Sequence, residues 1–178
     1  MLKFALFDYY PKRYLRRASF EESDVTRRIL DFKDGRRYAS VWAARELSRA
    51  LAANDLSSTA IVCIPASCQR THVRRYRRFA SEFCRLSGAV NGFDHIAVHG
   101  HRRKAHIRRA DGRPDGNISN VTIDGDFFLG RKVLVFDDIC TTCRTANAFI
   151  EQMGRAGADV RMAVFLARTK HFKNYSYV

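Results

Sequence analysis

Residues 132–145 read Lys-Val-Leu-Val-Phe-Asp-Asp-Ile-Cys-Thr-Thr-Cys-Arg-Thr. Their types and order suit the binding of a sugar phosphate. Val133, Leu134, Val135 and Phe136 form an apolar run that predicts a buried strand ending at two adjacent acids, Asp137 and Asp138. Carboxylates accept hydrogen bonds from sugar hydroxyls, directly or beside a Mg²⁺ ion. Thr141, Thr142 and Thr145 supply hydroxyl donors, and residues 146–153 read as a helix. The backbone N–H groups of the turn and of that helix start would face an anion. An ordinary strand–turn–helix with an acid-rich turn is the plain alternative.

A second segment, Ile61-Val-Cys-Ile-Pro-Ala-Ser-Cys-Gln-Arg70, reads as another buried strand that stops at Pro65. Ligands of a parallel sheet collect at the carboxyl ends of its strands. Ala66, Ser67 and Cys68 are therefore expected to face the same crevice as the acid pair. Arg70 and Arg74 follow at the start of the next predicted helix, and a guanidinium fork suits phosphate oxygens. Arg74, Arg75, Arg77 and Arg78 fall mostly opposite that helix's apolar face. For Arg75 and Arg78 a solvated surface is the preferred reading.

The elements that must position these groups alternate. Strands are predicted at residues 3–9, 59–64, 95–98, 132–136 and 160–167. Helices are predicted at residues 22–32, 38–52, 73–86 and 146–153. The opening segment 7–14 reads as a strand running into a turn at Pro11. Asp34-Gly35 is a turn signal. Residues 121–128 read as strands or as an extended, hood-like segment. The alternation predicts an α/β fold with a mainly parallel sheet flanked by helices. The 178 residues suit one domain, with no repeat and no linker long enough for a second.

Lys plus Arg number 32 against 18 Asp plus Glu, a net charge of +14. Such a surface attracts phosphates, nucleic acid or an acidic protein. No apolar run reaches membrane-spanning length, and the N-terminus lacks a cleavage pattern, so a cytoplasmic location is expected. The 5 cysteines, odd in number and unevenly spaced, fit reduced thiols better than a disulfide framework. Cys140 and Cys143 have redox or zinc spacing, but a disulfide there is expected to distort the phosphate turn. His99 and His101 are expected to be an exposed loop pair and not a metal site.

The acid-pair run resembles the phosphoribosyl pyrophosphate (PRPP) loop of type I phosphoribosyltransferases. There a hydrophobic strand leads into an acid pair, a hydrophobic pair and Thr-Thr-Gly-x-Thr. Cys140 departs from the usual aliphatic residue and Cys143 from the usual glycine. Pro65, Arg70 and Arg74 match the spacing of the competence protein ComF branch, as does the turn 32–35. Residues 75–78 depart from that branch's Gly-Phe-Asn-Gln, and its N-terminal zinc cysteines are absent. The resemblance covers about residues 29–169 of the single domain 1–178.

The resemblance implies a type I phosphoribosyltransferase (Rossmann-like) fold with a flexible lid loop. PRPP would bind with Mg²⁺, its 5-phosphate on Thr141, Thr142, Cys143, Arg144 and Thr145. Asp137 and Asp138 would hold the ribose hydroxyls and meet the metal only indirectly, through PRPP. Pyrophosphate would lie against Ala66, Ser67, Cys68, Arg70 and Arg74. Residues 100–120, rich in Arg, His and Gly, would supply the lid, with Arg102, Arg103 and Lys104 as catalytic contributors. A basic loop without that role is the alternative. The acceptor base is unassigned, although its contacts are expected near residues 166–168.

Three function classes follow: a transferase working in either direction on PRPP or a nucleotide, a ComF-like single-stranded-DNA-binding protein, and a PRPP-sensing regulator. Phe172, Tyr175 and Tyr177 form either a homodimer interface or a flexible tail.

Overall fold

The structure is a computed structural model and describes residues 1–100 and 120–170. Its centre is a five-stranded sheet in which every neighbouring pair is parallel. The strands are β1 (Leu2–Tyr9), β2 (Thr59–Cys63), β3 (Val90–Asn91), β6 (Lys132–Cys140) and β7 (Asp159–Thr169). Their order across the sheet is β1-β7-β6-β2-β3. Two short strands, β4 (Ile96–Val98) and β5 (Val121–Ile123), pair antiparallel beside it. This settles the open reading of residues 121–128: a strand, then the short helix α5 (Gly125–Phe128) capped by the Asp124 carboxylate.

The middles of the long strands are apolar and buried because both faces of the sheet are covered. On one face lie α1 (Phe20–Lys33), α2 (Arg37–Ala50) and the helical run from residue 69 to residue 87. Ile29, Phe32, Leu47, Phe79 and Phe83 pack there against Ile61, Leu134, Phe136 and Leu166. Phe79 stacks on Phe136 at 4.0 Å between ring centroids, and Phe32 meets Phe136 edge-on. On the other face α6 (Arg144–Arg155) packs Ala146, Phe149 and Met153 against Val62, Val133, Val135 and Phe165. Burial of each large side chain contributes roughly 1.5–3 kcal/mol.

Local signals explain the helix limits. Ser19 accepts from the Glu22 N–H and Glu22 accepts from the Ser19 N–H, a reciprocal cap that starts α1. The helix stops at Asp34, and Gly35 turns the chain at φ +74°. In α2 the buried face is Ala39, Ser40, Ala43, Ala44 and Leu47. Small residues there let its axis approach the neighbouring helix closely.

The run predicted as one helix over 73–86 begins earlier and is not uniform. It comprises α3 (Gln69–His72), a π-helical turn at Val73–Arg77 and α4 (Arg78–Ser87). The wider turn rotates the side chains that follow away from regular helical spacing. Such π turns recur at functional sites.

Candidate functional site

The sheet order reverses between β2 and β6. From β2 the chain moves outward to β3, then returns to β6 on β2's other side. That reversal opens a crevice at the carboxyl ends of the two strands. The register shows where it opens. β2 and β6 stay paired to Cys63 opposite Phe136, with one further bond from the Ile64 N–H to the Phe136 carbonyl. β6 goes on pairing with β7, through Asp137 opposite Phe165 to Cys140 opposite Arg168. The strand expected to end at Phe136 is therefore longer. Asp137 and Asp138 sit on it where β2 leaves.

Each acid has partners. The Tyr76 hydroxyl donates to Asp137 Oδ1 at 2.8 Å, and the Asp138 N–H donates to the same oxygen at 2.9 Å. Arg75 Nη1 donates to Asp138 Oδ2 at 2.7 Å, and the Ile139 N–H donates to Asp138 Oδ1 at 2.7 Å. Among the described residues, no donor reaches Asp137 Oδ2. Burial, then the neighbouring Asp138 charge, raise the Asp137 pKa to about 8, against the pull of the Tyr76 hydrogen bond. Burial also pushes the Tyr76 hydroxyl well above its ordinary value.

Arg75 overturns its reading as a solvated surface residue. Its side chain is 14% exposed and that of Asp138 is 9% exposed. Its Nε also donates to the Lys33 carbonyl at 3.0 Å, fixing the guanidinium from a second direction. The reason is geometric: Arg75 stands on the π turn and reaches the carboxyl-terminal half of β6. Arg74, expected to meet the pyrophosphate, lies against the Gly35 turn. It is exposed and lines a cleft with Arg37, Arg77 and Arg78. Tyr76 was legible only as apolar surface. A buried phenol must find an acceptor, and the acid pair is the acceptor it finds.

After Cys140 the chain turns into α6. Thr141, Thr142 and Arg144 are exposed, and Thr145 is half-buried. Thr141 Oγ1 lies 2.8 Å from Thr169 Oγ1 at the end of β7. Cys143 takes a left-handed conformation at φ 52°, where the resembling pattern has glycine. No side chain caps the N-terminus of α6, and its first turn holds no acid. Free N–H groups, hydroxyls and Arg144 make this turn suited to an anion.

Cys140 and Cys143 form a disulfide, contrary to the expectation of reduced thiols there. The turn brings their Cα atoms to 5.1 Å, within the range a disulfide spans. Closing it leaves the turn open to solvent at Thr141 and Thr142, and α6 begins directly after it.

Beyond β2, Ala66 and Cys68 are buried, Ser67 is half-buried and Arg70 is exposed. Cys68 Sγ lies 3.3 Å from Thr71 Oγ1. Hydrogen bonding to that hydroxyl and to the Thr71 N–H lowers its pKa. The fold thus puts residues 66–70 and the acid pair at the ends of neighbouring strands. Arg102, Arg103, Lys104 and His101 lie outside the described residues, as do Phe172, Tyr175 and Tyr177. His99 bonds Thr122 Oγ1 through Nε2 at 2.8 Å.

Among the described residues, no group of three or more His, Cys, Asp and Glu side chains is arranged to hold a metal ion. The two crevice carboxylates are already bonded to Arg75 and Tyr76. This donor set does not fit a resident Mg²⁺ ion. No helix among the described residues is long and apolar enough to cross a membrane.

No protein-family model and no curated protein matches the chain. Among solved structures it is similar to the purine phosphoribosyltransferase from Pyrococcus horikoshii Ot3, at 13% identity and a TM-score of 0.39. The alignment covers 92% of this chain and 88% of that one. At that identity and TM-score the likeness assigns neither family nor activity.

Proposed function

We propose that this chain binds PRPP, or a nucleotide, and transfers the ribose 5-phosphate group between pyrophosphate and a nitrogenous base. The observation that carries the reading is the acid pair on β6, placed where β2 departs and followed at once by an anion-suited turn. In this reading the 5-phosphate sits on residues 141–145, and the ribose hydroxyls meet Asp138 and the open Oδ2 of Asp137. The diphosphate lies along Ser67, Cys68 and Arg70. Mg²⁺ enters only as an ion carried by the diphosphate. Attack of the base nitrogen on C1 expels pyrophosphate, or the reverse occurs. The described groups act by positioning and by neutralising charge.

Calorimetric titration of PRPP with Mg²⁺ into wild type and into the Asp137→Asn/Asp138→Asn double variant tests this. Binding that is lost in a folded double variant supports the site. A wild type that does not bind refutes it. Bound wild type then goes to a screen of bases and nucleotides for turnover.

A second reading is favoured by a different observation. A cavity of about 980 Å³ on α1 and α2 is lined by Arg28, Arg36, Arg37, Arg45 and Arg49, with Tyr38, Trp42 and the acids Asp31 and Glu46 among them. Arginine beside an exposed aromatic ring, here Tyr38, suits single-stranded nucleic acid. That reading keeps the ComF-like alternative and leaves the acid-pair crevice for a separate ligand.

A further inference from the structure

The disulfide between Cys140 and Cys143 encloses Thr141 and Thr142, two of the hydroxyls offered to an anion. Its two ends are anchored in different elements. Cys140 is buried on β6 and pairs with Arg168 of β7. Cys143 is half-buried and caps α6, where its carbonyl accepts from the Asn147 N–H at 2.9 Å. Cys143 therefore sets the direction in which the first N–H groups of that helix point. Among the described residues it is also the only one besides glycines at positive φ. A residue with a Cβ resists that conformation, which glycine adopts freely. The ring closed through Cys140 holds Cys143 there by a covalent bond.

We infer that the Cys140–Cys143 pair is a thiol–disulfide modification site that regulates the anion turn: the bridge supplies the left-handed corner that primes the turn for a phosphate, and reduction releases it. The inference rests on the reading of residues 141–145 as a phosphate site and names the regulation of that site. The reaction is an exchange with a dithiol. One thiolate of the dithiol attacks Sγ of Cys143, the less buried of the two cysteines, and the Cys140–Cys143 bond breaks. Cys140 leaves as a thiolate and takes up a proton. The second thiolate of the dithiol then attacks the mixed disulfide and releases Cys143, which is protonated in turn. Two electrons and two protons pass to the protein, and the dithiol becomes a disulfide. Once reduced, Cys143 is free to leave the left-handed region, and the helix N–H groups lose their fixed aim. Exchange with an external disulfide runs the same steps backwards and restores the turn. A purely structural bridge, which adds stability and leaves phosphate binding untouched, is the competing role.

The test uses the full chain and ribose 5-phosphate as the probe. The probe is titrated calorimetrically into oxidised protein and again in excess dithiothreitol. A thiol-reactive dye counts the thiols, and circular dichroism checks that each state is folded. Oxidised wild type should bind about tenfold more tightly than reduced wild type, the cost of re-forming a left-handed backbone at a residue with a Cβ. Cys140→Ser/Cys143→Ser should bind as weakly as reduced wild type in both buffers. Cys63, Cys68 and Cys84 remain in that variant, so its indifference to the reductant assigns the effect to the bridge. Cys140→Ser/Cys143→Gly cannot form the bridge either, yet should recover much of the lost affinity, because glycine takes the corner unaided.

Equal affinity of oxidised and reduced wild type overturns the inference and marks the bridge as structural. Tighter binding after reduction overturns it as well, and would mean that the closed ring obstructs the phosphate. A Cys143→Gly double variant no better than the Cys143→Ser one removes the left-handed corner as the cause, and the inference with it. In all three cases the probe still binds and the proposed function stands. Wild type that binds the probe in neither state refutes the proposed function and this inference together.

Discussion

Burial of Asp137 has a consequence that can be read without any ligand. An unfolded aspartate has a pKa of about 4, whereas burial and the neighbouring Asp138 charge raise that of Asp137 to about 8 in the folded chain. Between those values the folded state holds a proton that the unfolded state has released. Its contribution to stability is therefore full at the acid end of the window and is lost as pH rises through it. Asp137→Asn cannot ionise and lacks this slope. Urea denaturation at about pH 5 and about pH 8 should show wild type losing stability relative to the Asn variant. Equal pH profiles would mean that Asp137 is ionised throughout. At this scale the acids and threonines were legible because their types announce chemistry. Arg75 was not, because in a regular helix its place in the Arg run points to solvent.

The element that matters most is the join between β6 and α6. It is short, and the disulfide spans three residue steps from Cys140 to Cys143. Loop-closure entropy for so small a ring gives about 2 kcal/mol of stabilisation. Treatment with a dithiol reductant should lower wild-type stability by about that amount, and Cys140→Ser/Cys143→Ser should be as low and indifferent to the reductant. Denaturation curves with and without reductant decide it. A wild type unmoved by reductant would show that the bridge does not form in solution. The alternation of strands and helices was visible in the sequence through apolar runs and helical spacing. The length of β6 was not, because pairing past Phe136 is supplied by β7, the strand that follows α6, and not by β2. The π turn was hidden as well, and its Arg75 and Tyr76 bond the Lys33 carbonyl and the acid pair, partners far from residues 73–77 in the chain.

For the molecule as a whole, charge is the dominant surface property. The excess of +14 is visible in composition, but its placement is not. Folding gathers Arg36, at the start of α2, and Arg37 and Arg45 along it around one cleft, and Arg74, Arg77 and Arg78 in a second cleft that shares Arg37. A single-stranded oligonucleotide bound there should dissociate steeply with added salt, since each neutralised phosphate releases counterions. Arg37→Glu/Arg45→Glu should weaken that binding by about tenfold or more at moderate salt. PRPP titration of the same variant should be unchanged. Oligonucleotide affinity that is indifferent to salt, or to this double change, would remove the second reading.

The turn between α1 and α2 looks like ordinary surface, yet it is the seat of the helix that serves the crevice. A methyl group on Gly35 would lie 2.7 Å from the Arg74 carbonyl oxygen, and the Lys33 carbonyl takes the Arg75 Nε–H. Two stretches about forty residues apart are thus fitted to each other by backbone contact. Their histories should be linked. A lineage that exchanges Arg75 for a small residue loses its need for the Lys33 carbonyl, yet position 35 stays bound by its φ of +74° and by the Arg74 carbonyl. A lineage that fills position 35 must re-seat the helix, and with it the acid pair's partners. Position 35 should accordingly stay glycine wherever that helix keeps its seat, whatever side chains stand at 33 and 74.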